Sequence, residues 1–238
     1  LFNFKILFQK YPLLKSLTNN YSYSYKKKDL KNLKKYTEFN LVGMGGSVLG
    51  AQAIYDFLEH KIKKKFFFFS NLQNFKISKS KKKRLNIVIS KSGNTLETVS
   101  NLNQILSKQK KNNNLIITEN KKNILRLIAN KIRSDIIDHK NYIGGRYSVL
   151  SEVGMVPAEL MGLNEKKFKR LNYLIKNKSF MNYLIHNVSS IHSNVTRGKK
   201  NSIILNYDEK LNNFLKWYQQ LSAESLGKKG KGFFPIIS

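Results

Sequence analysis

The chain has 238 residues, none of them cysteine, and 44 Lys+Arg against 14 Asp+Glu, a formal charge of +30. That excludes a disulfide scaffold and a thiolate metal site, and no apolar run approaches the ~18 residues of a membrane helix. The length suits one large α/β domain or one domain plus part of another. Charge alone points toward nucleic acid. Yet lysine far outnumbers arginine, the basic runs are scattered, and asparagine is abundant as well. The reading is a generically basic surface with no specific nucleic-acid partner, which would still steer a small anionic substrate.

In chain order, "LFNFKILFQKYPLLKSL" reads as an amphipathic helix that packs on the domain. "NNYSYSYKKK" is a low-complexity polar loop with no function assigned to it. From Glu38 strands and helices alternate. "FNLVGMGGSVLGAQAIYDFL" is a strand, a glycine turn and a helix. "FFFFS" (66–70) is a second strand, and "LNIVIS" (85–90) a continuously apolar third, as in a buried parallel sheet. A helix over 95–108, a strand over 113–119, a helix over 123–132 and a short strand over 134–140 follow. This alternation predicts a parallel, doubly wound sheet, whose ligands bind beyond the carboxyl ends of the strands. "YIGGRYSVLSEVGMVPAELMG" is a glycine turn and a helix-rich run, with Pro157 near a helix start. Residues 165–199 read as helical and basic, 201–207 as the first strand of a second α/β unit, and 208–227 as its helix.

Four stretches carry chemistry. In "GMGGSVLG", glycines allow close backbone approach and Ser47 opens a helix whose free N–H groups favour an anion. It is neither the dinucleotide pattern nor a P-loop, and a plain strand–helix turn explains it as well. In "SKSGNTLET", Ser90, Ser92 and Thr95 gather where a strand ends and a helix begins. One N-cap accounts for one hydroxyl, not three, and the N–H groups of 91–95 can form an anion nest. Without the P-loop lysine–serine pair, a phosphomonoester on a small molecule fits better than a nucleotide. "GGRYS" places Arg146, a fixed charge with planar donors, behind two glycines. "WYQQLSAESLGKKGKG" sets Glu224 one helical turn after Gln220; a solvent-exposed helix glutamate is the plainer alternative. His60, His139, His186 and His192 show no metal-ligand spacing.

Taken together, "VGMGGSVLG", "ISKSGNTLET", "IGGRYSVLSEVGM" and "WYQQLSAESLGKKGKGFFP" closely resemble, in this order, the phosphoglucose isomerase family. The likeness covers about residues 38–235, and the first 37 match nothing usable. It implies an α/β fold of the sugar-isomerase (SIS) type: a three-layer parallel sheet flanked by helices, with the start of a second SIS domain. The expected division is 1–37 as an N-terminal helical extension, 38–160 as the first SIS domain, 161–200 as a helical connection and 201–238 as the incomplete second domain.

The resemblance further implies reversible conversion of glucose 6-phosphate and fructose 6-phosphate, in glycolysis and gluconeogenesis, without metal or other cofactor. It places Glu224 as the catalytic base and Arg146 beside the enediolate. Gly46, Ser47 and Gln220 become substrate contacts, and Ser90, Lys91, Ser92, Gly93, Asn94 and Thr95 the phosphate loop, with the hydroxyls of Ser90, Ser92 and Thr95 as its ligands and Lys91 contributing through its backbone. A cytoplasmic homodimer is expected of the full-length enzyme. The family's ring-opening histidine and lysine lie after the glutamate and have no counterpart before Ser238, so the chain is expected to be a fragment, inactive or nearly so alone. A non-catalytic SIS module that senses a sugar phosphate is the alternative; Arg146 and Glu224 argue against it, since a sensor needs neither.

Overall fold

The computed structural model describes residues 4–72, 84–108 and 113–238. Five strands, β1 (Glu38–Val42), β2 (Lys65–Phe69), β3 (Arg84–Ile89), β4 (Asn113–Glu119) and β5 (Asp135–His139), form one sheet. Every pairing is parallel and the spatial order is β2-β1-β3-β4-β5. The chain leaves β1 toward β2, then returns to lay β3 on β1's other side. The crevice at such a reversal is where doubly wound sheets accept ligands.

The three central strands lie almost wholly inside because helices cover both faces. On one face Phe39, Leu41, Ile87, Ile89, Leu115 and Ile117 pack with α2 (Leu49–Leu58) and α5 (Glu152–Leu160). On the other, Val42, Val88 and Ile116 meet Leu102 and Ile105 of α3 (Leu96–Lys108) and Leu125 and Ala129 of α4 (Ile124–Ile132). Adjacent residues of one strand thus serve opposite cores, which is the period of two expected of a strand. This is the three-layer arrangement expected from the sequence.

Three asparagines cross the α3/α4 face in register. Asn40 Nδ2 donates to Asn86 Oδ1 at 2.7 Å, and Asn86 Nδ2 to Asn114 Oδ1 at 2.9 Å. All three are buried.

Several expectations need correcting. The N-terminal amphipathic segment is not one helix: α1 (Phe4–Lys10) ends and a 3₁₀ turn begins at Pro12, because proline has no N–H with which to continue a helix. Pro157 is not near a helix start but inside α5. Complete burial of α5 holds the helix through the missing hydrogen bond. The "YSYSY" stretch is not idle. Tyr21 Oη bonds both carboxylate oxygens of Glu152 (3.1 and 2.9 Å), Ser24 N donates to the same group, and Tyr25 Oη donates to Glu159 at 3.0 Å. Two glutamates buried in α5 thus find donors in the N-terminal segment, as buried carboxylates must. Burial, and then those carboxylates, push both tyrosine hydroxyls far above their ordinary pKa.

Beyond α5, α6 (Leu171–Ile175) and α7 (Lys178–Thr196) bear out the helical reading of 165–199. The strand expected over 201–207 is shorter: β6 (Asn201–Ile204) pairs in parallel only with β7 (Phe234–Ile237). A short 3₁₀ turn precedes α8 (Asn212–Leu226), which packs on α2. There Asn213 Nδ2 donates to Asp56 Oδ2 at 2.5 Å. No helix of the described residues is long and apolar enough to cross a membrane.

Candidate active site

The loops after β1 and β3 leave the carboxyl edge side by side. A Cβ on Gly43 would lie 2.8 Å from the carbonyl oxygen of Ile89, so the first loop can cross there only as glycine. Gly46 is pressed against the backbone of Gly145, where any side chain would collide. Ser148 Oγ locks the two loops by donating to Gly145 O at 2.6 Å, with Gly46 O 3.3 Å away. The glycines of "GMGGS" and "GGRYS" therefore serve each other first: their bare backbones bring residues 43–47 and 144–148 into contact.

In the loop after β3 the hydroxyls divide their work. Ser90 is buried; its Oγ accepts from Gly93 N at 3.1 Å and shares a 2.9 Å hydrogen bond with Thr95 Oγ1. Ser92 is exposed and accepts from Asn94 N at 3.2 Å. Gly93, at φ +69°, leaves room for the side chain of Asn123. Asn94 Oδ1 accepts from Ile124 N and Gly93 O from Leu125 N, so the loop ties down the first turn of α4. Of the expected five-residue nest, the N–H groups of Gly93 and Asn94 are thus spent internally. Among the described residues those of Lys91, Ser92 and Thr95 are without an internal acceptor. Lys91 O accepts from Glu119 N at 3.1 Å, while its ammonium bonds Asn141 O at 2.7 Å and faces Glu119 at 3.4 Å. Burial alone would raise the Glu119 pKa, but Lys121 and Lys91 hold it below the usual carboxylate value.

Helix α8 carries the remaining groups back to this edge. Gln220 stands against Gly45, and its Nε2 donates to Glu224 Oε1 at 2.8 Å. Arg146 Nη1 donates to Glu224 Oε2 at 2.9 Å. Both carboxylate oxygens are therefore oriented, yet the side chain is 47% exposed and open to a ligand. Arg146 is held from three further sides: Nε donates to Ser225 Oγ (3.0 Å), its guanidinium lies over the Tyr147 ring (4.8 Å), and its carbonyl accepts from Trp217 Nε1 (3.1 Å). Tyr147 Oη completes the set at 2.7 Å from Ser225 Oγ. Burial opposes the arginine's charge, but Tyr147 and Glu224 together raise its pKa above normal. Burial also raises the Tyr147 phenol, and Ser225 and Arg146 outweigh it to lower it.

Arg146, Gln220, Glu224 and the 43–47 loop thus meet, with residues 90–95 beside that loop. Ser225, Tyr147, Trp217 and Asn123 join the site without standing out in the sequence. Ser225 is the residue after Glu224 and Tyr147 the residue after Arg146, so adjacency within the two motifs was the available signal. His139 is buried, its ring nitrogen against Lys140 O, and burial depresses its pKa; the other three histidines are exposed.

The family model described as phosphoglucose isomerase matches residues 14–232. The chain belongs to the phosphoglucose isomerase family. The match begins well before residue 38, which corrects the view that the first 37 residues lie outside the family; the tyrosine tether falls within it. A glucose-6-phosphate isomerase of Methanocaldococcus jannaschii is 34% identical over 233 residues, covering 87% of this chain and 56% of the relative. One from Mycoplasmopsis synoviae is 31% identical over 219 residues, covering 82% and 51%. The chain spans about half the length of the curated relatives it matches. Among solved structures, a hypothetical protein of Thermus thermophilus superposes with a TM-score of 0.74 at 22% identity, covering 89% of this chain and 56% of that one. A tagatose-6-phosphate ketose/aldose isomerase of Escherichia coli does so at 0.59 and 15%, covering 99% and 62%. These two likenesses speak for the fold of this phosphoglucose isomerase family member.

Proposed function

We propose that this chain supplies the sugar-phosphate grip and the proton-transfer groups of a glucose-6-phosphate isomerase, interconverting glucose 6-phosphate and fructose 6-phosphate through a cis-enediol(ate). The observation that carries the reading is the junction of Arg146, Gln220 and Glu224 at the sheet's carboxyl edge, in a chain of the phosphoglucose isomerase family.

In this reading the phosphate sits on Ser92, Thr95 and the free N–H groups of Lys91, Ser92 and Thr95, with Ser90 and Gly93 shaping the loop and Asn94 fastening it to α4. Gly46, Ser47 and Gln220 line the path of the sugar. In the open-chain substrate Glu224 lifts the proton from C2 and returns it to C1, acting as base and then as acid. Arg146 faces the negative charge that develops on oxygen, a stabilisation that grows toward the transition state and so lowers the barrier. No step calls for a metal or redox cofactor. Residues 38–160 form the sugar-phosphate domain, 161–200 the connection, and 201–238 the part of the second domain that brings Glu224. A cytoplasmic homodimer is the setting this implies for the whole enzyme.

The test is Glu224→Gln in the whole protein. Turnover should fall by about 10³-fold or more while fructose 6-phosphate still binds by calorimetry. Normal turnover would remove Glu224 as the base. Ser92→Ala with Thr95→Ala should chiefly raise KM, by about tenfold or more, and an unchanged KM would remove the phosphate assignment.

A further inference from the structure

A second polar site lies away from the carboxyl edge, where the N-terminal segment meets the turn after α5. A cavity of about 500 Å³ opens there, lined by Asn19, Tyr21, Tyr23, Glu165, Lys166, Lys169 and Arg170. Lys169 is 5% exposed. Its ammonium is held between two aromatic faces, 4.5 Å from the Tyr21 ring centre and 4.4 Å from that of Tyr23. Among the described residues it has neither a hydrogen bond nor an ion pair, though the Glu152 and Glu165 carboxylates lie near enough to favour its charge. The rings compensate part of its charge but accept none of its three N–H bonds in the ordinary sense. A buried ammonium left so is costly.

Two residues that line the same cavity each carry a buried atom without a partner: Tyr23 Oη and Glu165 Oε2. Their neighbours are already committed, Tyr21 Oη to Glu152 and Glu165 Oε1 to Lys27 at 2.9 Å. At the rim, Lys166 and Arg170 are exposed cations. The orphaned set is thus two donors, Lys169 and Tyr23, one acceptor, Glu165, and a cationic rim. As the side chains stand, Tyr23 Oη and Glu165 Oε2 are closed to water, so a ligand reaches them only when those two side chains turn toward the cavity. A ligand that satisfies all three carries anionic oxygens and at least one hydroxyl.

We infer that this cavity is a binding site for a small hydroxylated anion, a hydroxy acid or a phosphorylated polyol, with Lys169 and Tyr23 on its anionic oxygens, Glu165 on a hydroxyl, and Lys166 and Arg170 steering its entry. The site is separate from the loop of residues 90–95 and does not depend on the function proposed for it.

The test uses the full chain carrying Ser92→Ala and Thr95→Ala, titrated by calorimetry with gluconate and with sn-glycerol 3-phosphate. Saturable millimolar binding of either probe is expected; the preferred probe tells carboxylate from phosphate. Lys169→Met, of similar length and without charge, should weaken it by about tenfold or more, and Tyr23→Phe, which removes only the orphaned hydroxyl, by a smaller factor. Circular dichroism confirms that each variant is folded. The inference is overturned if neither probe binds, if binding occurs only with Ser92 and Thr95 intact, or if folded Lys169→Met and Tyr23→Phe bind as the parent does.

Discussion

Ser225 illustrates how much of this site rests on a residue that need not touch substrate. One hydroxyl lies 3.0 Å from Arg146 Nε and 2.7 Å from Tyr147 Oη, which fixes the plane of the guanidinium relative to Glu224. Ser225→Ala leaves the arginine with its ion pair and its ring contact but frees that plane. We expect kcat to fall by about tenfold with little change in KM, and Ser225→Thr, which restores the hydroxyl, to recover most of it. A loss confined to KM would show that Ser225 supports binding instead. At this scale the sequence was readable only in part. Arg146, Gln220 and Glu224 stood out through motif and helical spacing. Ser225 and Tyr147 did not, because a serine and a tyrosine carry no signal until the fold joins positions 78 residues apart. Tyr21 and Tyr25 were hidden for the same reason: their glutamates lie more than 130 residues away.

Among elements, the loop after β3 and the start of α4 behave as one piece. Asn94 and Gly93 satisfy N–H groups of α4's first turn, while Asn123 caps it by accepting from Arg126 N at 2.9 Å and occupies the space beside Gly93. Gly93→Ala would meet both a left-handed backbone angle and the Asn123 side chain. A destabilisation of about 1–3 kcal/mol is expected in chemical denaturation, with sugar-phosphate affinity falling alongside. A variant as stable as the parent would show that the loop adapts. Strand positions were legible because short apolar runs bounded by polar turns have few other homes. Pro157 departs from proline's preference for a helix start because that preference is a local rule, and complete burial of α5 overrides it. The Pro12 break follows the same rule without opposition.

For the whole molecule, charge and pH act through the N-terminal tether. Burial lowers the Lys169 pKa from 10.5 to about 8. Between those values the unfolded chain binds more protons than the folded one, so stability rises with pH there. Tyr21, Tyr23 and Tyr25 have the opposite sense. Burial and nearby carboxylates raise their pKa above the ordinary 10.0, so their contribution is intact below 10 and is lost at higher pH. The melting temperature should therefore climb from about pH 8 toward 10 and then turn down. In Lys169→Met the climb should shrink while the downturn remains. Identical profiles in thermal melts would remove Lys169 as its source.

The asparagine ladder of Asn40, Asn86 and Asn114 bears on a different matter, the accuracy of assembly. A parallel sheet of apolar strands is tolerant of being zipped up wrongly, since one branched side chain resembles the next. Amides are not interchangeable in this way. A shift of a single residue between β1 and β3 would set the Asn40 amide opposite Leu85 or Ile87, unpartnered in a dry interior. The ladder thus works as an alignment key. By fixing the strands lengthwise, it also sets the level at which residues 43–47 and 90–95 emerge from the sheet, so that two loops far apart in the chain arrive at one height.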